Sequence, residues 1–478
     1  MSVRILLLLL IFSRCATLVV GHEHSYTIIV SEETYRDAEW SKVVQSLKQK
    51  YPQANQVTWN RTVNEALQDL SDQHPRYSCF VAKPNEVTRQ YVSSIHQLTR
   101  QFDQDPYCDT LWGILTGYDA ANALRIAKDS DDLTIGRVAS GTEVALSMCQ
   151  EGVWYDELEQ HKKVAKARGG VPKQEKGPGD TTHVLASSLT HPNTQLFVTS
   201  GHATERNWQI GFSYKNGYFQ SKAGKMYGRT TEGESFRIQS NTPKVYLAVG
   251  NCLMGHIDGP DAMALAWLND VGMNQMIGYT VLTWYGYSGW GVLDYFVEQP
   301  GRYSLTEAFH ANQHALIHRI DRFFPDLTRQ VLQAGSRNLP TANPTNEGEK
   351  LGLTSFDSRG LLWDRDTVAF YGDPAWNAKM ATMPKAYDQS LKVENDIYTF
   401  TITPKLGKQS FDPINTNGSQ RGGRPIVEFL PRRIQDIEIL TGKELDPVIT
   451  DDFLLIPHHV ARSQHEPLQI QFRASLIQ

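Results

Sequence analysis

Cysteine is scarce in this chain, five residues in 478, so no disulfide framework can stand in for a hydrophobic core of this length. Cys15 falls in a leading apolar block; Cys79, Cys108, Cys149 and Cys252 remain. If Cys252 is a free thiol, the other three are expected to form one pair and one buried thiol, and spacing alone leaves the pairing open. Positive charge is not in excess either. A formal net charge of −5 and a pI near 6.3 give no basic field for nucleic acid, and neither an acidic nor a basic tail is present. Bilayer-length apolar runs are missing. The opening MSVRILLLLLIF is one cation followed by a block too short to cross a membrane, and it reads as a signal peptide over residues 1–21, with Val19 and Gly21 before the cut and His22 after it. The mature chain is therefore expected to be secreted, extracellular or periplasmic, without a transmembrane anchor. HExxH and EF-hand patterns are absent, so no metal ligand set is assigned.

What is present alternates between two periodicities. Tyr26 to Val30, Gln56 to Trp59, Tyr77 to Ala82, Trp112 to Thr116 and Leu133 to Arg137 read as strands, and the stretches between the first four repeat their apolar residues at helical spacing. Such alternation predicts a parallel sheet with crossover helices. A helical stretch is expected near residues 141–166. Arg168 to Asp180 (RGGVPKQEKGPGD) reads as a surface loop or boundary. Ser304 and Glu307 have capping-box spacing, so a helix should start there and carry His310, His314 and His318 on one face, expected to be solvated or polar-packed rather than metal-binding. From about Lys385, short β-type runs separated by Gly, Asn, Pro and Asp suggest a small β-sandwich with no convincing helix, and His458 and His459 are expected on its surface. The division expected is 1–21, an N-terminal α/β subdomain over 22–155, an α/β subdomain over 181–385 and an all-β unit over 388–478.

Two segments concentrate the reactive groups. Leu196 to Trp208 (LFVTSGHATERNW) and Val245 to Gly255 (VYLAVGNCLMG) are apolar β-type runs that stop at His202 and Cys252. Open α/β sheets place their chemistry just beyond the carboxyl ends of strands, so both side chains are expected on one rim. A thiol attacks only as thiolate, and an imidazole across the rim is the partner it needs.

GHATERNW followed by GNCLMG resembles the gingipain family of cysteine peptidases within the caspase-like clan, and the separation of 50 positions matches the histidine-to-cysteine interval of caspases. Asn274 to Tyr285 (NQMIGYTVLTWY), Phe370 to Ala375 (FYGDPA) and LTIGR extend the resemblance over roughly residues 25–385. It implies a caspase-like parallel-sheet unit in two halves, followed by a small immunoglobulin-like domain. It also implies a secreted endopeptidase acting on proteins or peptides, with Cys252 as nucleophile and His202 as general acid/base. By the same resemblance the amides of Ala203 and Cys252 form the oxyanion hole, Gly201 and Gly250 let backbone approach substrate, and Asp180 with Trp284 or Tyr285 would line a pocket preferring Arg or Lys at P1. No cofactor is required, and a structural calcium is compatible. Glu175 and Glu205 are candidates for the acid that orients His202. The competing reading is an exported pseudo-peptidase that binds or adheres without turnover, suggested by Ala203, Asn251 and Arg168.

Overall fold

The structure is a computed structural model that describes residues 25–415, 423–463 and 466–477. The expected signal segment and His22 lie outside the described residues. One twelve-stranded sheet runs through the N-terminal and central regions. At one end Asn55–Trp59, Tyr26–Ser31, Tyr77–Val81 and Leu111–Leu115 pair in parallel. A second parallel block is Met273–Tyr279, Lys244–Ala248, Thr194–Thr199, Arg137–Ser140 and Glu151–Tyr155. Val368–Tyr371 joins the blocks, antiparallel to Met273–Tyr279 and touching Leu111–Leu115 at the pair Tyr371–Ile114. The strands of the cysteine and histidine runs are adjacent, Leu196 opposite Val245 and Thr199 opposite Ala248. Both are buried throughout except Gln195, as strands covered by helices on both faces must be.

Local physics explains the elements that depart from expectation. Residues 141–166 do not form the expected helix: Val153, Trp154 and Tyr155 are β-formers, and Glu151–Tyr155 and Lys162–Lys166 join the sheet next to its far edge, leaving only a short 3₁₀ turn at Leu146–Met148. The Gly- and Lys-rich stretch is also part of the sheet. Gly169, at φ +75°, turns the chain so that Lys173–Lys176 pairs antiparallel with Lys162–Lys166 as the exposed edge, where lysines discourage further pairing. Cys79, Cys108 and Cys149 are all free and buried, so the expected disulfide is absent among the described residues; they pack as small apolar side chains.

Helix Leu305–Phe323 opens with the Ser304–Glu307 capping box, but its histidine row is buried rather than solvated. The helix lies between the large sheet and the C-terminal unit. His310 Nε2 accepts from the Trp112 N–H at 3.1 Å, His314 stacks on Phe453 at 4.1 Å, and His318 Nδ1 hydrogen-bonds the Tyr107 hydroxyl at 3.3 Å.

The C-terminal unit has a four-stranded sheet (Tyr387–Glu394, Ile397–Pro404, Leu468–Leu476, Ile434–Thr441) and a three-stranded one (Ile426–Phe429, Phe453–Ile456, Val448–Ile449). A short α-helix, His458–Ser463, interrupts the expected all-β pattern, and His458 Nε2 donates to the Phe411 carbonyl at 2.9 Å rather than facing solvent freely. Arg424, half-buried, reaches Asp294 at 2.6 Å and Glu298 at 2.8 Å, bonding this unit to the helix Tyr287–Phe296 and the residues after it. Among the described residues no helix is long and apolar enough to cross a membrane.

Candidate active site

Past the strand ends, the two loops are bound together at their base by one side chain. Asn251 is fully buried. Its Oδ1 accepts from the Thr199 hydroxyl at 2.5 Å and its Nδ2 donates to the Gly201 carbonyl at 3.1 Å. The Tyr246 hydroxyl, 2.7 Å from Thr199 Oγ1, extends this chain into the core. His202 and Cys252 are the next residue along from Gly201 and Asn251 respectively, so the clamp sets both on adjoining strand ends. Gly250 is required by this close approach. A Cβ there would stand 2.3 Å from Ser200 Oγ.

Cys252 is half-buried and begins a tight turn in which Leu253 has φ +59°, a strained conformation for a branched residue. The Thr283 N–H points at its sulfur, donor to Sγ 3.2 Å. His202 is exposed, and its ring stacks on Phe212 at 4.5 Å. Its loop is pinned from below by Trp208, fully buried, whose Nε1 donates to the Ser200 carbonyl at 2.8 Å. Truncating such an indole typically costs about 3–5 kcal/mol. Among the described residues, the amides of Ala203 and Cys252 donate to no protein acceptor, since the hairpin around Ala203 is closed instead by Thr204 N–H to Asn207 O (2.8 Å) and Gln209 N–H to His202 O (2.9 Å).

A carboxylate missed by sequence reasoning lies behind the histidine turn. Glu157 is 5% exposed; its Oε1 accepts from the Thr142 hydroxyl at 3.0 Å. Its Oε2 is 3.2 Å from where a Cβ on Gly201 would be, and Gly201 has φ +96°, so both space and backbone require glycine there. The Glu157 carbonyl accepts from Phe212 N–H at 2.6 Å, which holds the ring under His202. A signal was available: Glu157 follows the apolar run VWY by two positions, the same strand-end placement that picked out His202.

The other candidates are placed elsewhere. Glu175 is exposed and pairs with Lys163 at 2.7 Å. Glu205 pairs with His256 at 3.2 Å, and Arg168 with Glu151 at 2.9 Å. Asp180 accepts four hydrogen bonds, from the amides and hydroxyls of Thr182 and Thr231 at 2.6–2.9 Å, which hold its carboxyl below the usual range against the opposing effect of burial. Trp284 adjoins Thr283 in the chain, is 46% exposed, stacks on Trp363 at 4.6 Å and carries the Arg337 guanidinium 5.7 Å from its ring centre. Tyr285 packs on Phe356 at 5.1 Å. Asp103, Asp105 and Asp109 bring carboxylate oxygens within 4.8 Å of one another away from these loops, and burial with Asp103 beside it pushes Asp105 up to about 7.

No family model matches the chain, and no curated protein does. Solved structures do align. The Arg-specific cysteine proteinase gingipain R shares 13% identity over 91% of this chain and 92% of its own, with a TM-score of 0.45. A complex of the pro- and mature domains of Porphyromonas gingivalis RgpB aligns at 12% identity over 91% and 93%, TM-score 0.39. A further structure, described simply as a protease, aligns at 9% over 79% and 84%, TM-score 0.38. Identity this low leaves the question of activity to the chemistry of the site.

Proposed function

We propose that this chain is a secreted, gingipain-like cysteine endopeptidase. The observation that carries the reading is the placement of Cys252, its sulfur facing a backbone N–H and its loop clamped through Asn251 to the loop of His202. In this reading the Cys252 thiolate attacks the scissile carbonyl carbon, and the oxyanion formed takes the free N–H groups of Ala203 and Cys252. His202 gives its proton to the departing amine as the C–N bond breaks, leaving a thioester. Water, deprotonated by His202, then attacks the thioester and releases the acid and the thiol. Glu157 lies behind the loop of His202, and its carbonyl holds Phe212 under the imidazole.

Cleavage after Arg or Lys is part of the proposal. The Trp284 face already holds a guanidinium in Arg337, and a substrate arginine that displaced Arg337 would make the same cation–π contact. Asp180, engaged four times within its own loops, would have to share its carboxylate. Asp103, Asp105 and Asp109 would suit a structural calcium, which takes oxygen ligands and would neutralise their mutual repulsion. The inactive reading weakens at each residue that suggested it: Ala203 keeps its N–H, Asn251 closes the clamp, and Arg168 pairs with Glu151. Fluorogenic peptides with Arg, Lys, Asp or Asn at P1, tested on the wild type and Cys252→Ala, decide between them. Hydrolysis after Arg or Lys that Cys252→Ala abolishes is expected; equal rates from both proteins would establish the inactive reading.

A further inference from the structure

The Asn251 clamp holds the two loops only at their base. Farther out they diverge, the histidine loop into the strand Asn207–Gln209 and the cysteine turn towards the helix Met263–Asp270. Across that gap run a Glu–His contact and an Arg–Asp ion pair, each with one member from each loop. Glu205 Oε1 meets His256 Nδ1 at 3.2 Å, and the Arg206 guanidinium grips Asp258 with both nitrogens, at 2.5 and 2.9 Å. The Met263 N–H also donates to the Glu205 carbonyl at 2.7 Å, and Arg89, from the helix Arg89–Leu98, approaches His256 Nδ1 at 3.5 Å while its Nε donates to the Thr280 carbonyl at 2.7 Å.

Taking the peptidase reading as its basis, we propose that Glu205–His256 and Arg206–Asp258 form a latch that sets the spacing of His202 and Cys252, making these four positioning residues. Magnitudes separate this role from a stabilising one. Partly exposed pairs of this kind contribute only about 0–1 kcal/mol to folding. A misplacement of about 1 Å between reacting groups can reduce rate about a hundredfold. A paired bidentate contact fixes direction as well as distance, which a single point charge does not. The imidazole of His202 has the Phe212 stack as its side-chain contact, so the loop carrying it is the part of the site that needs outside registration. His256 and Asp258 also wall a cavity of about 530 Å³ with Pro84, Tyr118, Ile257 and Leu265, so a ligand entering there would bear directly on the latch.

The test is charge reversal with rescue. Asp258→Arg and Arg206→Asp are each expected to lower kcat by about tenfold while KM and the melting temperature move little, and the double variant Arg206→Asp/Asp258→Arg is expected to recover most of the loss. The second readout is the pH profile of Cys252 alkylation by iodoacetamide, which senses a nearby imidazolium without any peptide turnover. In Asp258→Arg it should shift towards the profile of His202→Ala, and in the double variant return to that of the wild type. Single variants that hydrolyse and alkylate like the wild type, or a double variant no better than either single, would overturn the latch. A wild type that never hydrolyses peptides would overturn the peptidase reading alone, because the alkylation profiles would still decide the latch.

Discussion

Cys108 and Cys149 are packed in the core, where burial pushes each thiol up to about 12, and burial drives Cys79 higher still. Burial likewise lowers His310 and His314 to about 3 and His318 to about 4. Thiol and imidazole alike are thereby fixed in their neutral forms. At the rim the same two groups meet the opposite surroundings, Cys252 half-buried under an N–H and His202 open to solvent. Side-chain type did not make the site. Its position beyond the strand ends, where charge can still be solvated or hydrogen-bonded, did.

The sharpest way to break this contrast is substitution at both places. Cys252→Ala and His202→Ala should each reduce peptide hydrolysis by at least about 10³-fold, the scale on which loss of a nucleophile or its proton donor acts. Cys149→Ala should leave the rate per folded molecule unchanged. Next comes Glu157→Gln, expected to lower kcat by roughly tenfold to a hundredfold with little change in melting temperature, measured by steady-state kinetics beside thermal unfolding. Gly201→Ala tests the same neighbourhood sterically. Its left-handed backbone and the nearby Glu157 oxygen should together cost on the order of 1–3 kcal/mol in denaturant unfolding.

A pH effect sharpens the buried side of the comparison. The folded chain keeps His310 and His314 neutral down to about pH 3, whereas the unfolded chain protonates them near 6.5. Protons therefore bind the unfolded state preferentially, so stability is level above 6.5 and is lost as pH falls from 6.5 towards 3. By pH 5 each such histidine should cost on the order of 2 kcal/mol. Urea unfolding at pH 7 and pH 5 should show this loss, and His314→Leu should reduce it. The smallest effect is kinetic: native protein should take up one equivalent of iodoacetamide quickly, at Cys252, and three more only on unfolding.

The two apolar runs ending at His202 and Cys252 were readable as buried strands, and the structure pairs them as parallel neighbours whose ends share a rim. Glu157 escaped notice because residues 141–166 were read as a helix, which hides a strand end. That error has a physical source, since a short run such as VWY has no periodicity to separate the two structures and only pairing with Arg137–Ser140 decides it. The histidine row was legible as one helix face, but not what covers it, which is Trp112 over His310, Tyr107 over His318, and at His314 Phe429 and Phe453, more than a hundred residues later. The contacts between Glu205, Arg206, His256 and Asp258 depend on how two loops leave a sheet, and nothing in local composition encodes that.

Val368–Tyr371 stands in the middle of the sheet although it is made after nearly four-fifths of the chain. During synthesis the two parallel blocks thus emerge with their facing edges uncapped, and neither can be sealed to the other until this strand leaves the ribosome. A nascent chain halted before it would display two sticky half-sheets, so chaperone capture and aggregation should concentrate on stalled lengths shorter than about residue 371.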